Sequence, residues 1–188
     1  LQVSSDGNLG AASGGLTFDG GALRVTGTSF QSTARGITWG PAGGGFDIAD
    51  AANVFTVGQA LSGPGGLLKA GDGTLVLTGT NGYTGGTMIT AGTLQLGNGG
   101  TNGSIPGDVL NNGAFAINRS DTFTFGTVIS GTGAFQQNGT GATVLTATGW
   151  INAPWTHWRM RFVTNVLSTL VLAPPLLAFL RWRAIPRP

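Results

Sequence analysis

Apolar residues recur in this chain as pairs two positions apart, separated by short polar blocks rich in Gly, Thr and Asn. The pairs are Leu16/Phe18, Leu23/Val25, Phe46/Ile48, Phe55/Val57, Leu75/Leu77, Leu94/Leu96, Phe115/Ile117 and Phe123/Phe125. An i, i+2 spacing puts both side chains on one face of a strand. Gly, Asn, Asp or Pro bounds most of the pairs and supplies turn conformations. The pattern therefore predicts many short strands of about five residues, each with one inward face. Helix is disfavoured before residue 150, because Gly costs roughly 1 kcal/mol in a helix interior and no window there runs ten residues without a Gly or Pro while keeping helical periodicity.

A five-residue strand with two apolar side chains cannot bury its own face. Stacking one turn of chain on the next, ~4.8 Å apart, gives each backbone group a ladder partner and joins the pairs into an apolar column. Steps of about twenty residues between comparable strands fit a coil of three strands and three turns. Self-similarity also occurs at a longer interval. FTVGQALSGPGG at 55–66 returns as FTFGTVISGTGA at 123–134, and GDGTLVLTG at 71–79 returns as GTGATVLTA at 139–147. These matches predict a unit of about seventy residues present twice. A β-sandwich is the competing architecture, since it also uses short alternating strands with frequent turns. The self-match favours stacked coils, so the expected fold is all-β, a right-handed parallel β-helix (β-solenoid). Leu75, Leu77, Leu94, Leu96, Phe115, Ile117, Phe123 and Phe125 are its expected stacking residues.

The most regular stretch, residues 63–98, carries a resemblance. GDGTLVLTGTNGYTGGTMITAGTLQLGN resembles the passenger-associated strand repeat of bacterial autotransporters. That pattern is a Gly-x-Gly-x-Leu-x-Leu-x-Gly run, then Asn-x-Tyr-x-Gly-Gly-Thr, then Ala-Gly-Thr-Leu-x-Leu-Gly. It falls here on residues 71–79, 81–87 and 91–97. The resemblance implies a non-enzymatic passenger module of type V secretion, acting as a stalk or adhesive scaffold. It implies an outer-membrane translocator barrel as partner, absent from this chain, and a host or glycan surface as target. It places the protein on the cell surface, at the outer membrane or outside a Gram-negative bacterium.

Composition divides the chain. All 35 Gly lie before residue 150, and four of the five Trp lie from there on. Residues 1–149 hold four basic residues and all seven Asp, a net −3, whereas residues 150–188 hold five Arg and no acid, a net +5. The overall +2 is thus no nucleic-acid footprint on the repetitive part. Two domains are expected: a solenoid at 1–149 and a basic, Trp-rich, helical apolar tail at 150–188. Within the tail, residues 162–180 are uncharged and flanked by Arg159, Arg161, Arg181 and Arg183. Their length suits a bilayer crossing, while Pro174 and Pro175 would kink a helix in mid-span. Two readings stand: a membrane-spanning or membrane-lying segment, or an aberrant C-terminus from a frameshift or fusion. No basic stretch leading into an apolar run opens the chain, so its start is read as internal to a longer product or a truncated reading frame.

Chemistry is sparse. There is no Cys and no Glu, and the one His, His157, has no acid near it in sequence. Zinc sites of several His or Cys and nucleophilic triads are excluded on that inventory. No metal or cofactor is expected. The one near pair of acids is Asp47 and Asp50, in FDIAD. A carbohydrate-active β-helix enzyme could use such a pair, and this is the alternative function. The competing reading makes both turn-edge residues with solvated side chains. A further alternative is a membrane-anchored protein whose role lies in the tail. Thr78, Thr80, Asn81, Thr84, Thr87, Thr90, Asn98 and Asn102 are expected outside, as a polar face for contact or as ordinary outward strand and turn residues. Tyr83 is expected to cover a turn.

Overall fold

A computed structural model describes residues 1–145 and, as backbone, 161–162. The 3-10 turn Asp6–Leu9 aside, it contains strands joined by turns, and every strand pairing among the described residues is parallel. The strands are β1 (Gln2–Val3), β2 (Leu16–Phe18), β3 (Ala22–Val25), β4 (Ser32–Thr33), β5 (Ile37–Trp39), β6 (Gly44–Ile48), β7 (Val54–Val57), β8 (Leu67–Ala70) and β9 (Thr74–Leu77). They continue as β10 (Thr87–Ile89), β11 (Thr93–Leu96), β12 (Val109–Asn111), β13 (Ala114–Ile117), β14 (Phe123–Phe125), β15 (Ile129–Ser130), β16 (Ala134–Gln137), β17 (Thr143–Leu145) and β18 (Arg161–Phe162).

Two seven-stranded sheets run the length of the stack. The first has the order β1-β3-β6-β8-β10-β12-β15 and the second β4-β7-β9-β11-β13-β16-β18. A third, thinner wall is made of the pairs β2–β5 and β14–β17, with a Thr80–Ser104 bridge between them. The architecture is a three-walled β-solenoid. From β3 onward each coil contributes one strand to the first wall and the next to the second, then crosses the third; the first coil has the 3-10 turn in place of a second-wall strand. Thr87 lies opposite Leu67, twenty residues earlier, and Arg24 lies opposite Asp47, 23 residues later. The coil is therefore the structural repeat.

The seventy-residue self-match does not correspond to a structural unit. Phe55 sits on the second wall, whereas Phe123, its counterpart in sequence, sits on the third. Likewise Leu75 is in β9 on the second wall, and its counterpart Thr143 is in β17 on the third. The self-match reports that strand-and-turn units are interchangeable among walls. All three walls make the same demand of a strand: alternate side chains inward, and a Gly-rich corner at each end.

The core is a set of columns. Phe55, Leu75, Leu94, Phe115 and Phe135 are in register on the second wall, and Val57, Leu77, Leu96 and Ile117 form the column beside them. Every member but Phe135 is fully buried. On the third wall, Phe18 pairs with Trp39 and Phe125 with Leu145, and buried Leu61, Tyr83 and Ile105 lie between them. Phe125 is buried and Phe123 half-buried, so this last predicted pair belongs to a different column from the other three. Aromatic contacts tie the walls together: Phe18 and Phe46 ring centres are 5.1 Å apart, and those of Phe115 and Phe125 are 5.4 Å apart.

β18 pairs with Gln136 and Gln137, so the second wall takes in two residues of the segment that composition assigns to the tail. The tail expectations for 150–160 and 163–188, and so nearly all of the 162–180 span, fall outside the described residues.

Candidate functional site: the outer surface and the corners

Asp47 and Asp50 occupy different environments. Asp47 lies between inward Phe46 and Ile48, so its carboxylate points outward from β6. There Oδ2 accepts from Arg24 Nη1 at 2.6 Å, one coil away. Asp50 belongs to the corner before β7, and its Oδ1 accepts from the backbone N–H of Ala52 at 2.9 Å. One carboxylate is committed to an ion pair and the other to its own turn. No group of three His, Cys, Asp or Glu side chains gathers among the described residues. His157 lies outside them.

The outer side of the first wall carries a ladder in register: Ala22, Gly45, Leu68, Met88, Leu110 and Ser130. Met88 is 44% exposed and Leu110 38% exposed. A shallow groove of about 590 Å³ runs along this ladder, with Gly44, Gly66 and Gly86 also lining it. A polar projection leaves the corner after β11. Residues 98–102 are exposed, and the loop is braced by the next coil. Arg119 Nη1 donates to Gly103 O at 2.8 Å, and the Ser120 N–H donates to Gly100 O at 2.9 Å. Asp121, held by a hydrogen bond from Arg119, keeps its carboxyl below the usual range.

Two of the residues expected outside are inside. Asn81 is 7% exposed and joins three coils. Its Oδ1 accepts from the Leu61 N–H at 2.9 Å, and its Nδ2 donates to Ser104 O at 2.8 Å and Gly79 O at 3.2 Å. A buried Asn with both ends matched does what a strand ladder does elsewhere. Thr87 is an inward residue of β10, and its Oγ1 lies 2.6 Å from the Tyr83 hydroxyl. Tyr83 is a core residue rather than a turn cover, and burial drives its phenol pKa upward. Thr78, Thr80, Thr84, Thr90, Asn98 and Asn102 are exposed or half-exposed.

Sequence patterning missed three buried cations. Arg35 is 4% exposed and closes the 6–14 loop, with Nε and Nη2 donating to the Asp6 carboxylate at 2.9 Å each. Its remaining N–H groups reach Ala11 O at 2.6 Å, Gly14 O at 2.9 Å and Gly10 O at 2.9 Å. The Arg35 hydrogen bonds hold Asp6 below the usual carboxylate range. Arg119 is the second. The third is Lys69, which stands in the inward column Leu23, Phe46, Lys69, Ile89 and Asn111. Only one signal for Lys69 was present: in LLKA it takes the inward phase set by Leu67.

Burial lowers the Lys69 ammonium pKa to about 8, with the Asp47 and Asp72 carboxylates opposing the shift. The ordinary value is 10.5, so between about pH 8 and 10.5 the unfolded chain holds a proton that the folded chain has lost. Stability is therefore expected to rise with pH through that window, until loss of the Tyr83 phenol proton from the unfolded chain, whose ordinary value is 10.0, opposes the rise. Denaturant midpoints at pH 7.5, 9 and 10 measure this. A flat or falling midpoint across the three would contradict a buried ammonium.

Fold and surface together define a parallel β-solenoid repeat protein whose polar side chains are spent mainly on corners, clasps and an exposed polar skin. Residues 67–96 match the family model described as passenger-associated-transport-repeat. Those residues span β8 to β11, two successive coils, with Lys69, Asn81, Tyr83 and Thr87 among them. Over 138 residues, 73% of its length, the chain is 46% identical to the adhesin BmaC autotransporter of Brucella suis biovar 1 (strain 1330). That region makes up 4% of the relative, so the chain spans a small fraction of it. No solved structure matches. The chain is an autotransporter passenger-repeat protein.

Proposed function

We propose that this solenoid is a stalk and contact surface within a passenger displayed outside a Gram-negative cell, and that it works without catalysis. The observation that carries this reading is the unbroken second-wall column from Phe55 to Phe135, which makes each coil a template for the next. A stack of that kind supplies length and stiffness along one axis and needs no reactive group. The parallel crossovers favour a right-handed coil. Similarity to a protein named as an adhesin supports contact as the task of the outer surface. The exposed Thr and Asn side chains and the braced 98–102 loop are the groups we assign to that contact. A translocator barrel, supplied by another part of the gene product, would carry the passenger across the outer membrane.

The committed state of Asp47 and Asp50 weighs against the carbohydrate-active alternative. A glycosidase needs one carboxyl as acid and another as base or nucleophile, both facing one substrate. Here one faces Arg24 and the other its own turn.

The test is surface proteolysis of intact cells making the full-length native product with an epitope inserted at Gly99, where added atoms meet nothing within 4 Å. The expected result is epitope loss from intact cells, with the signal in the outer-membrane or culture fraction beforehand. An epitope that survives in intact cells and fractionates with the inner membrane would overturn the reading.

A further inference from the structure

Lys69 is the sole lysine of the chain, and its side chain is fully buried in a column otherwise filled by Leu23, Phe46, Ile89 and Asn111. Its Nζ donates to Ala70 O at 2.8 Å, at the end of β8, to Gly71 O at 2.7 Å, in the corner that follows, and to Ala91 O at 3.1 Å, in the corner of the next coil. Ala91 belongs to the coil that begins with β10. While that coil is apart from the coil of β8–β9, one of the three acceptors is missing. The Asp47 and Asp72 carboxylates act on it from β6 and from its own corner, and β10 brings no titratable group.

We propose that Lys69 is a closing latch between the coil of β8–β9 and the coil of β10–β11, open to solvent in the unfolded chain and closed when the second coil docks. The latch makes the two coils one cooperative unit. It is also a modification site whose accessibility depends on folding. An acyl donor meeting the unfolded chain loses its leaving group to attack by the free amine, an amide forms, and the amine gives up its proton. The capped nitrogen keeps one N–H where the ammonium has three, and it carries an acyl group that the fully occupied column cannot hold. Such a chain cannot close coil on coil at this corner.

The experiment uses the native chain and acetylation by an N-hydroxysuccinimide ester, read by mass spectrometry. In a preparation of residues 1–188 the amines are the chain-end amine at Leu1 and the Lys69 side chain, so each site reports separately. Under native conditions Lys69 is expected to react at least about 100-fold more slowly than in denaturant, because reaction must await an opening of the corner. Leu1, 76% exposed, is expected to change little. Chain acetylated in denaturant and then refolded is expected to melt at least roughly 5 °C below an unmodified control carried through the same steps. Lys69→Met, which keeps the stem and removes the donors, is expected to melt lower in the same way. Comparable Lys69 labelling rates with and without denaturant would overturn the proposal. So would an acetylated or Lys69→Met chain that melts at the control temperature.

Discussion

Gly71→Val is expected to abolish cooperative folding or to lower the unfolding free energy by about 4 kcal/mol, from two additive costs. Gly71 has φ +73°, in the left-handed region where a β-branched side chain is a strong outlier. The space is also taken: a Cβ there would overlap Ile48 O and stand 2.6 Å from Ile48 C, both backbone atoms of the preceding coil. Backbone cannot swing aside as a side chain can, because Ile48 O accepts the Gly73 N–H at 2.8 Å. Gly71 O, moreover, is one of the acceptors of Lys69. Gly99→Val is the control. Its φ is +82°, but nothing lies within 4 Å of the new Cβ, so it carries the backbone strain alone, about 1–2 kcal/mol. Guanidinium unfolding followed by circular dichroism separates the two. Equal midpoints for the pair would mean that coil-to-coil contact at the corner is looser than described.

Leu94→Ala is the second large effect, with an expected loss of about 3–4 kcal/mol, in the upper part of the range for buried Leu truncations. Leu94 is fully buried between Leu75 and Phe115, and its strand is laddered on both sides. Relaxation is what lowers the cost of such a cavity, and here ladder hydrogen bonds fix both neighbours at the coil spacing. Met88→Ala, on the exposed ladder one strand earlier, is expected to change stability by less than about 0.5 kcal/mol. In a stack stabilised by nearest-neighbour contacts the damage should also be local. Amide exchange should accelerate first in β9, β11 and β13 and later at the N-terminal coils. Uniform acceleration throughout the described residues would show that the stack opens as a single body.

Strand existence was legible because burial alternates with period two and the walls are one strand deep. Leu75/Leu77 and Leu94/Leu96 advertise an inward face by spacing alone, and the Gly at 71, 79, 92 and 97 mark where each strand stops. Which wall a strand joins was not legible. Phe46/Ile48 on the first wall, Phe55/Val57 on the second and Phe123/Phe125 on the third obey one local rule, and the difference lies in which strands of neighbouring coils they pair with. The buried polar groups were also hidden. Lys69, Arg35, Arg119 and Asn81 are residue types that usually face water, and they are inside because open corners leave carbonyls and N–H groups that a strand ladder does not reach. Only a three-dimensional arrangement shows those orphan groups, so the clasps could not be read from residue type. Asp47 and Asp50 show the reverse. Proximity in sequence suggested joint chemistry, but a strand residue and a corner residue three positions apart point to different neighbours.

The parallel stacking also determines how the molecule responds to a pull on its two ends. The hydrogen bonds between coils lie along the long axis, so tension along that axis opens one seam at a time. Each seam that opens shortens the folded rod by only ~4.8 Å. It frees a coil such as the one from Leu67 to Thr87, twenty residues apart, worth roughly 65 Å of extended chain. A tether built this way yields length in large steps under load while the remaining coils stay folded. It would absorb a shearing force between two anchored surfaces instead of passing it directly to whatever is held at the tip.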